Sequence, residues 1–287
     1  MLKDLLRAAR SELETVNISK VDAELIAAFV LGVSRMDLHS REFQLTKEQE
    51  LEFSDLLAQR ISGIPLQYLT GEAPFRYLIF DVGPGVLIPR PETELMVDAA
   101  LVEIERIQSN KEWNKQQTSV IDLGSGSGAI AISIADEARK RGLLVNVIAV
   151  ENDEVAAQWL IKNIGKHDVD VRVVKESVSD ALSGVKSDLV VANPPYISEA
   201  IGSLPKELSH EPKTALFGGE TGLEIPKTFI EAAKRLLKPS ALLLLEHDDS
   251  QSAEIESILA PNFYEILHFK DLNDRPRWIS ARRSKDG

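Results

Sequence analysis

Hydrophobic positions in the first seventy residues fall at helical spacing. Leu2, Leu5, Leu6, Ala9 and Leu13 mark one face of a first helix. Ser19 and Asp22 predict a helix start before AELIAAFVLG, and Gly32 predicts its stop. Thr46 with Gln49 three residues on is a capping-box pattern before KEQELEFSDLLAQRI. Gly63 and Pro65 then break the period, so we read 1–73 as a small helical domain. Over 74–91 the pattern turns β-prone. FRYLIFDV predicts a strand, Gly83-Pro84-Gly85 a turn and VLIPR a returning strand, together a β-hairpin linker. The rest, 92–287, alternates. Glu92 to Ile107 reads as a helix and the polar SNKEWNKQQTS as an exposed loop. Buried-type strands at Ser119 to Leu123, VNVIAVE, VDVRVV, SDLVVAN and ALLLLEH are interleaved with the helices AIAISIADEARK, EVAAQWLIKNI, FIEAAKRLL and SAEIESIL. This is an α/β pattern, with a mostly parallel sheet between helices. YEILHF and RWISAR follow without an intervening helix and predict an antiparallel hairpin at one edge.

Composition narrows the function classes. The chain has 287 residues, enough for about two domains at ~150 residues each. It contains no cysteine, which excludes disulfides, thiolate nucleophiles and Cys-ligated metals. The five histidines have no metal-ligand spacing, and we expect no metal. A net charge of −12 argues against gripping nucleic acid through its phosphates. MLKDLLRAARSELE has no apolar core for a signal peptide, and the longest apolar run, Ala241 to Leu245, is far short of the ~20 residues of a membrane span. We expect a cytoplasmic protein with no membrane partner.

Two loops at strand ends carry chemistry. The first is Asp122-Leu123-Gly124-Ser125-Gly126-Ser127-Gly128, between a strand and a helix. Its glycines allow a sharp turn and let a ligand lie on bare backbone. Gly124-x-Gly126-x-x-Ala129 formally satisfies the dinucleotide fingerprint, and Glu151 at the end of the next strand can hold a ribose diol of either NAD or S-adenosylmethionine. Asp122 shifts the balance. Negative charge at a strand end suits the cationic methionine end of S-adenosylmethionine and would oppose a pyrophosphate; a helix-capping role is the bland alternative.

The second loop is Asn193-Pro194-Pro195-Tyr196, after the fourth strand. The prolines donate no backbone hydrogen bond and leave carbonyls free. A planar amino group fits here. The Asn193 oxygen and the Pro194 carbonyl can each accept one N–H, and the Tyr196 ring can stack on the conjugated plane. The nitrogen is a poor nucleophile, so holding it in a near-attack geometry is much of the catalysis.

Taken together, these motifs resemble an amino-directed, S-adenosylmethionine-dependent methyltransferase. Gly63 to Phe75, Val86 to Glu94, Asn193 to Tyr196, Glu211-Pro212, and Ala215 to Gly219 with Gly222-Leu223 resemble the PrmC/HemK family, the glutamine methyltransferases of peptide chain release factors. The resemblance runs from about Asp22 to Arg282. It implies a Rossmann-like catalytic domain. It also implies methyl transfer to the side-chain amide of the glutamine in the Gly-Gly-Gln motif of a release factor, and a helical domain that recognises that factor. By the same resemblance, Gly124, Ser125, Gly126, Ser127, Gly128, Glu151 and Asn193 bind the cofactor, and Asn193, Pro194, Pro195 and Tyr196 form the amide pocket. Arg90 and Glu92 are expected near the substrate, although acids in a first helical turn are also favourable in themselves. Glu151 stands where the family usually has Asp. Ser177, beside Val178, stands where it commonly has an Asp near the adenine; either Glu176 substitutes or the adenine is held more weakly. Asp248 replaces a usual glycine, and Pro276 interrupts the usual tail.

Two other readings remain open on the residues. A nucleic-acid amino methyltransferase would use the same Asn-Pro-Pro-Tyr logic on a flipped adenine or guanine. A non-catalytic adaptor would only bind a partner. A cytosine-ring methylase is excluded because it needs a cysteine. We expect a monomer.

Overall fold

The computed structural model describes residues 2–110 and 116–285, so the middle of the SNKEWNKQQTS reading, 111–115, falls outside the described residues, and its last two residues, Thr118 and Ser119, begin a strand. The chain divides into two compact units, Met1–Glu72 with Leu204–His210, and Ala73–Ser203 with Glu211–Gly287.

The first unit contains α1 (Leu2–Thr15), α2 (Val21–Leu31), α3 (Asp37–Ser40), α4 (Lys47–Ile61) and α5 (Leu66–Thr70). Leu2, Leu6, Ala9 and Leu13 of α1 bury against Ile26 and Ala27 of α2 and Phe53 and Leu57 of α4. Each large apolar side chain buried this way contributes about 1.5–3 kcal/mol. Both halves of the Thr46–Gln49 capping box form, and Gly32 closes α2 at φ 63°. The unit also holds a segment that sequence patterning does not reveal. Residues 204–210 lie within 92–287 but belong with the helices, where the buried Arg60 guanidinium donates to Asp22 (2.7 Å) and to Glu207.

The second unit opens with a hairpin placed differently from the sequence expectation. Its strands are β1 (Glu72–Phe75) and β2 (Leu78–Asp81). The reversal is at Arg76-Tyr77, with Arg76 at φ 53°, and not at Gly83-Pro84-Gly85. Arg76 is held in that turn by Glu137 and Asp98, and its N–H donates to Glu94 (2.9 Å). VLIPR forms no strand. Pro89 and Pro91 have no N–H to give a ladder, and the Ile88 N–H donates to the Glu211 carboxylate instead (3.0 Å).

The remaining elements are α6 (Glu94–Gln108), β3 (Thr118–Leu123), α7 (Ala129–Lys140), β4 (Val145–Val150), α8 (Glu154–His167), β5 (Val171–Val174), β6 (Ser187–Ala192), α9 (Lys213–Leu216), α10 (Glu224–Leu236), β7 (Leu237–Glu246), α11 (Ser252–Leu259), β8 (Phe263–Lys270) and β9 (Pro276–Arg283). The sheet order is β5-β4-β3-β6-β7-β9-β8. Pairing is parallel from β5 through β7 and antiparallel at β7–β9 and β8–β9, so the expected edge hairpin is present. Alternate residues face opposite sides. Ile121, Leu123, Val190, Ala192, Leu243 and Leu245 share a core with Phe229 and Ala233 of α10 and with Ile255 and Leu259 of α11.

Register positions the site. Leu123 pairs with Val150 and with Ala192, and Ala192 pairs with Leu245. The next residue on each strand is therefore Gly124, Glu151, Asn193 and Glu246. All four stand level at the carboxyl ends, where the strand order reverses about β3 and open α/β sheets bind ligands.

Candidate active site

A cavity of about 900 Å³ opens over these strand ends. One end is built from backbone. Gly124, Gly126 and Gly128 have φ of 69°, 54° and 86°, a region costly for any residue with a Cβ. At Gly128 a Cβ would also run into Leu160 and Ile132, so this glycine seats α7 on its neighbours. At Gly126 a Cβ would meet nothing within 4 Å, so the space over that peptide is open to a ligand. Glu151 reaches in from β4, accepting from the N–H groups of Gly126 (2.8 Å) and Asp153 (2.8 Å). Burial raises its pKa above the ordinary carboxylate value. Fully buried Asn163 of α8 braces the loop from behind, donating to the carbonyls of Ser127 (3.0 Å) and Asp81 (3.0 Å).

Asp122 lies behind that loop and does not line the cavity. Its Oδ2 accepts from the Ala131 N–H in the first turn of α7 (3.2 Å), the capping role weighed above. Its Oδ1 is buried without a partner. Burial pushes its pKa to about 7, and Glu151 adds to the rise. A carboxylate oxygen buried unpaired at the end of a strand is costly unless a cation lies nearby. This donor set therefore fits the cationic S-adenosylmethionine better than a pyrophosphate-bearing dinucleotide.

The other end is built from side chains. Asn193 Nδ2 donates to Thr93 Oγ1 (3.2 Å), Thr93 Oγ1 donates to Glu246 Oε2 (2.6 Å), and the Tyr196 hydroxyl donates to Glu246 Oε1 (3.1 Å). Glu246 is fully buried, and burial pushes its pKa to about 7 against the pull of Thr93, Tyr196 and Arg277. Burial and then Glu246 raise the Tyr196 hydroxyl above its ordinary value, so it stays protonated. Backbone contacts clamp the same turn. The Gly218 N–H donates to the Ile197 carbonyl (2.9 Å), and Gln251 Nε2 donates to the carbonyls of Tyr196 (3.0 Å) and Gly222 (3.1 Å). A Cβ at Gly218 would strike the Pro195 carbonyl, and one at Gly222 the Tyr196 carbonyl. This explains why the Ala215 to Gly222 stretch accompanies Asn-Pro-Pro-Tyr.

The expected site residues divide accordingly. Gly124, Ser125, Gly126, Ser127, Glu151, Ser177, Val178, Asn193, Pro195 and Arg90 line the cavity. Asp122, Gly128, Pro194, Tyr196 and Glu92 do not. The Tyr196 hydroxyl is tied to Glu246, which fixes the edge of the ring and leaves its faces uncommitted by this bond. Arg90 has its guanidinium committed to buried Glu211, and Glu94 is committed to Arg76. Glu176 does not substitute beside the cavity. It accepts from the Leu182 N–H (3.2 Å), while Ser177 donates to Asp180 (2.6 Å). Sequence reasoning missed Thr93, Glu246, Gln251 and Asn163. The available signal for Glu246 was a carboxylate ending an otherwise apolar strand, at the same level as Asn193.

The sheet order and the strand-end cavity define a class I methyltransferase fold. Solved structures agree at the level of fold. A Thermus thermophilus 16S rRNA N2 G1207 methyltransferase, in complex with AdoMet and guanosine, superposes with a TM-score of 0.51 at 18% identity, covering 74% of this chain and 49% of that one. A class I S-adenosylmethionine-dependent methyltransferase from Listeria monocytogenes gives 0.50 at 15% identity, covering 99% and 87%. Residues 4–71 match the PrmC N-terminal domain, and residues 101–220 the methyltransferase small domain. Relatives named release factor glutamine methyltransferase include those of Streptomyces coelicolor (36% identical, covering 92% of this chain and 91% of the relative) and Mycolicibacterium smegmatis (34%, 98% and 98%). The Bacillus anthracis relative is 34% identical, covering 97% and 98%. The chain belongs to the release factor glutamine methyltransferase family.

Proposed function

We infer that this protein is an S-adenosylmethionine-dependent protein-glutamine N-methyltransferase. It acts on the side-chain amide of the glutamine in the Gly-Gly-Gln motif of peptide chain release factors. The observation that carries this reading is the single cavity joining a glycine loop and Glu151 at one end to Asn193 and Pro195 at the other.

When bound, S-adenosylmethionine supplies an electrophilic methyl group. The residues of this chain do the rest. Gly124 to Ser127 line the cofactor end with open space over Gly126, Gly128 seats the helix behind them, and Glu151 keeps a second lone pair on each oxygen for the ribose hydroxyls. Asp122, once ionised above about pH 7, contributes negative charge from behind the loop, and Ser177 and Val178 line the region assigned to the adenine. At the acceptor end the Asn193 oxygen takes one N–H of the glutamine amide, and the Pro194 carbonyl, although Pro194 does not line the cavity, is assigned the other. This holds its plane and aims the nitrogen lone pair at the methyl position. Pro195 walls the pocket, and Tyr196 anchors the turn through Glu246. No strong base is needed, since the amide nitrogen sheds its proton to solvent after the bond has formed.

The helical unit, 1–73 by sequence with 204–210 added by contacts, is assigned to release-factor recognition, with 74–91 leading into the catalytic unit. Among the described residues no helix is long and apolar enough to cross a membrane. We propose a cytoplasmic monomer that does not grip nucleic acid directly. Labelled S-adenosylmethionine incubated separately with a release factor and with total RNA tests the reading. Label on the factor's glutamine is expected. Label on RNA alone, or on neither, would overturn it.

A further inference from the structure

The orientation of the Asn193 amide decides whether the site can hold an amino group. With the oxygen facing the cavity, it accepts from a substrate N–H. With the NH₂ facing the cavity, two donors oppose each other. A primary amide is nearly symmetric in shape, so sterics do not choose between these states.

The hydrogen-bond order around it does choose. Above about pH 7 Glu246 is ionised and can only accept, so Thr93 Oγ1 gives its one proton to Glu246 Oε2 at 2.6 Å. Only its lone pairs remain for Asn193, whose Nδ2 sits 3.2 Å away. Glu246 cannot relax, because its other oxygen accepts from Tyr196 at 3.1 Å and the side chain is 1% exposed. Thr93 itself is 3% exposed. A flipped Asn193 would set its oxygen against the lone pairs of a hydroxyl whose proton is already committed. The cost of such a buried mismatch is large where no water can repair it.

We propose that Thr93 and Glu246 are positioning residues that lock the Asn193 amide with its oxygen toward the acceptor nitrogen. This inference rests on the proposed methyl transfer to an amide. It adds a polarity relay from β7 through Thr93 to Asn193, in which neither Thr93 nor Glu246 need touch the reacting atoms.

The test compares Thr93→Val, which keeps the shape and removes the hydroxyl, with Thr93→Ser, which keeps the hydroxyl. Both are assayed on an intact release factor, and both are titrated calorimetrically with S-adenosylhomocysteine. Thr93→Val is expected to lower kcat at least about tenfold, with S-adenosylhomocysteine affinity within about twofold of wild type. Thr93→Ser is expected to restore kcat to within about threefold. In an Asn193→Ala background, Thr93→Val should change the residual rate less than about twofold, because the relay then has nothing to orient. An unimpaired kcat in Thr93→Val would overturn the proposal, as would an equal loss in both backgrounds. Should Thr93→Val fail to fold, Glu246→Gln decides by the same readouts. An amide there cannot accept at both of its terminal atoms, so kcat should fall with cofactor affinity kept, and an unchanged kcat would overturn the relay. A wild type that transfers no methyl to the factor would instead defeat the functional reading beneath it.

Discussion

The two ends of the cavity are built in different materials. The cofactor end is backbone: three positive-φ glycines in five residues, the last of them at the N-cap of α7. The acceptor end is side chain: Thr93, the Asn193–Tyr196 loop and Glu246 come from three separate segments and meet only through tertiary folding. The first tolerates change where space is open and fails where the helix must seat. The second depends on which atom carries each proton, so a substitution there can leave the fold intact and still abolish the chemistry.

The sharpest way to separate the two is Asn193→Ala. It removes an acceptor from the amide pocket and leaves the strand and both prolines in place. We expect kcat to fall roughly 10³-fold, with the melting temperature and S-adenosylhomocysteine affinity little changed. Turnover within tenfold of wild type would show that the acceptor end does not work through this side chain.

At the cofactor end, two glycines with the same backbone sign should behave differently. Gly128→Ala combines positive-φ strain with collisions against Leu160 and Ile132, so we expect about 2–5 kcal/mol of lost stability in urea titration. Gly126→Ala carries the strain alone, about 1–2 kcal/mol, but fills the space over the exposed peptide. Its main effect should be about tenfold weaker cofactor binding. Equal stability losses, with equal affinity losses, would erase the distinction between seating and binding.

This difference in materials also explains what was legible beforehand. Backbone-built features leave local marks: the Gly124 to Gly128 spacing, the Thr46–Gln49 box and the β–α alternation could all be read in order. The Glu246–Thr93 contact joins residues 153 apart, and no local pattern announces it. The hairpin misreading has the opposite cause. Gly83-Pro84-Gly85 looked like the stronger turn locally, but Arg76 turns there because Glu94, Asp98 and Glu137 hold it from distant helices. Residues 204–210 were assigned by sequence continuity, whereas buried Arg60 ties Glu207 to the helical unit.

Each end also hides one carboxyl group whose pKa is raised by burial to about 7, Asp122 and Glu246. The sign follows from proton counting. The folded protein keeps these protons to near pH 7, and the unfolded chain loses them near pH 4. Unfolding therefore releases protons between those values, and stability falls as pH rises through the window. Around Asp122 the relevant groups are Ser125, the Ala131 N–H and Glu151; around Glu246 they are Thr93, Tyr196, Arg277 and Glu92. Asp122→Asn keeps an acceptor for Ala131 and removes one titration. We expect it to flatten the fall between pH 4.5 and 8 and to gain about 2–4 kcal/mol over wild type at pH 8. Parallel stability curves for wild type and variant would show that Asp122 is already ionised in the folded protein.

The smallest expected effect is at the edge of the cofactor end. Ser177 lines the cavity, yet its hydroxyl proton is given to Asp180 Oδ2 at 2.6 Å, and its carbonyl accepts from the N–H groups of Asp180 and Ala181. The hydroxyl thus closes a local turn in a solvent-exposed stretch, where a hydrogen bond competes with water and is worth little. What it can still offer an adenine is one lone pair, against the full carboxylate that an Asp would present at this position. Ser177→Ala should therefore change S-adenosylhomocysteine affinity by less than about threefold in calorimetry and leave the melting temperature unmoved. A tenfold loss would mean that this hydroxyl grips the base. The cofactor end would then share the side-chain dependence that otherwise sets the acceptor end apart.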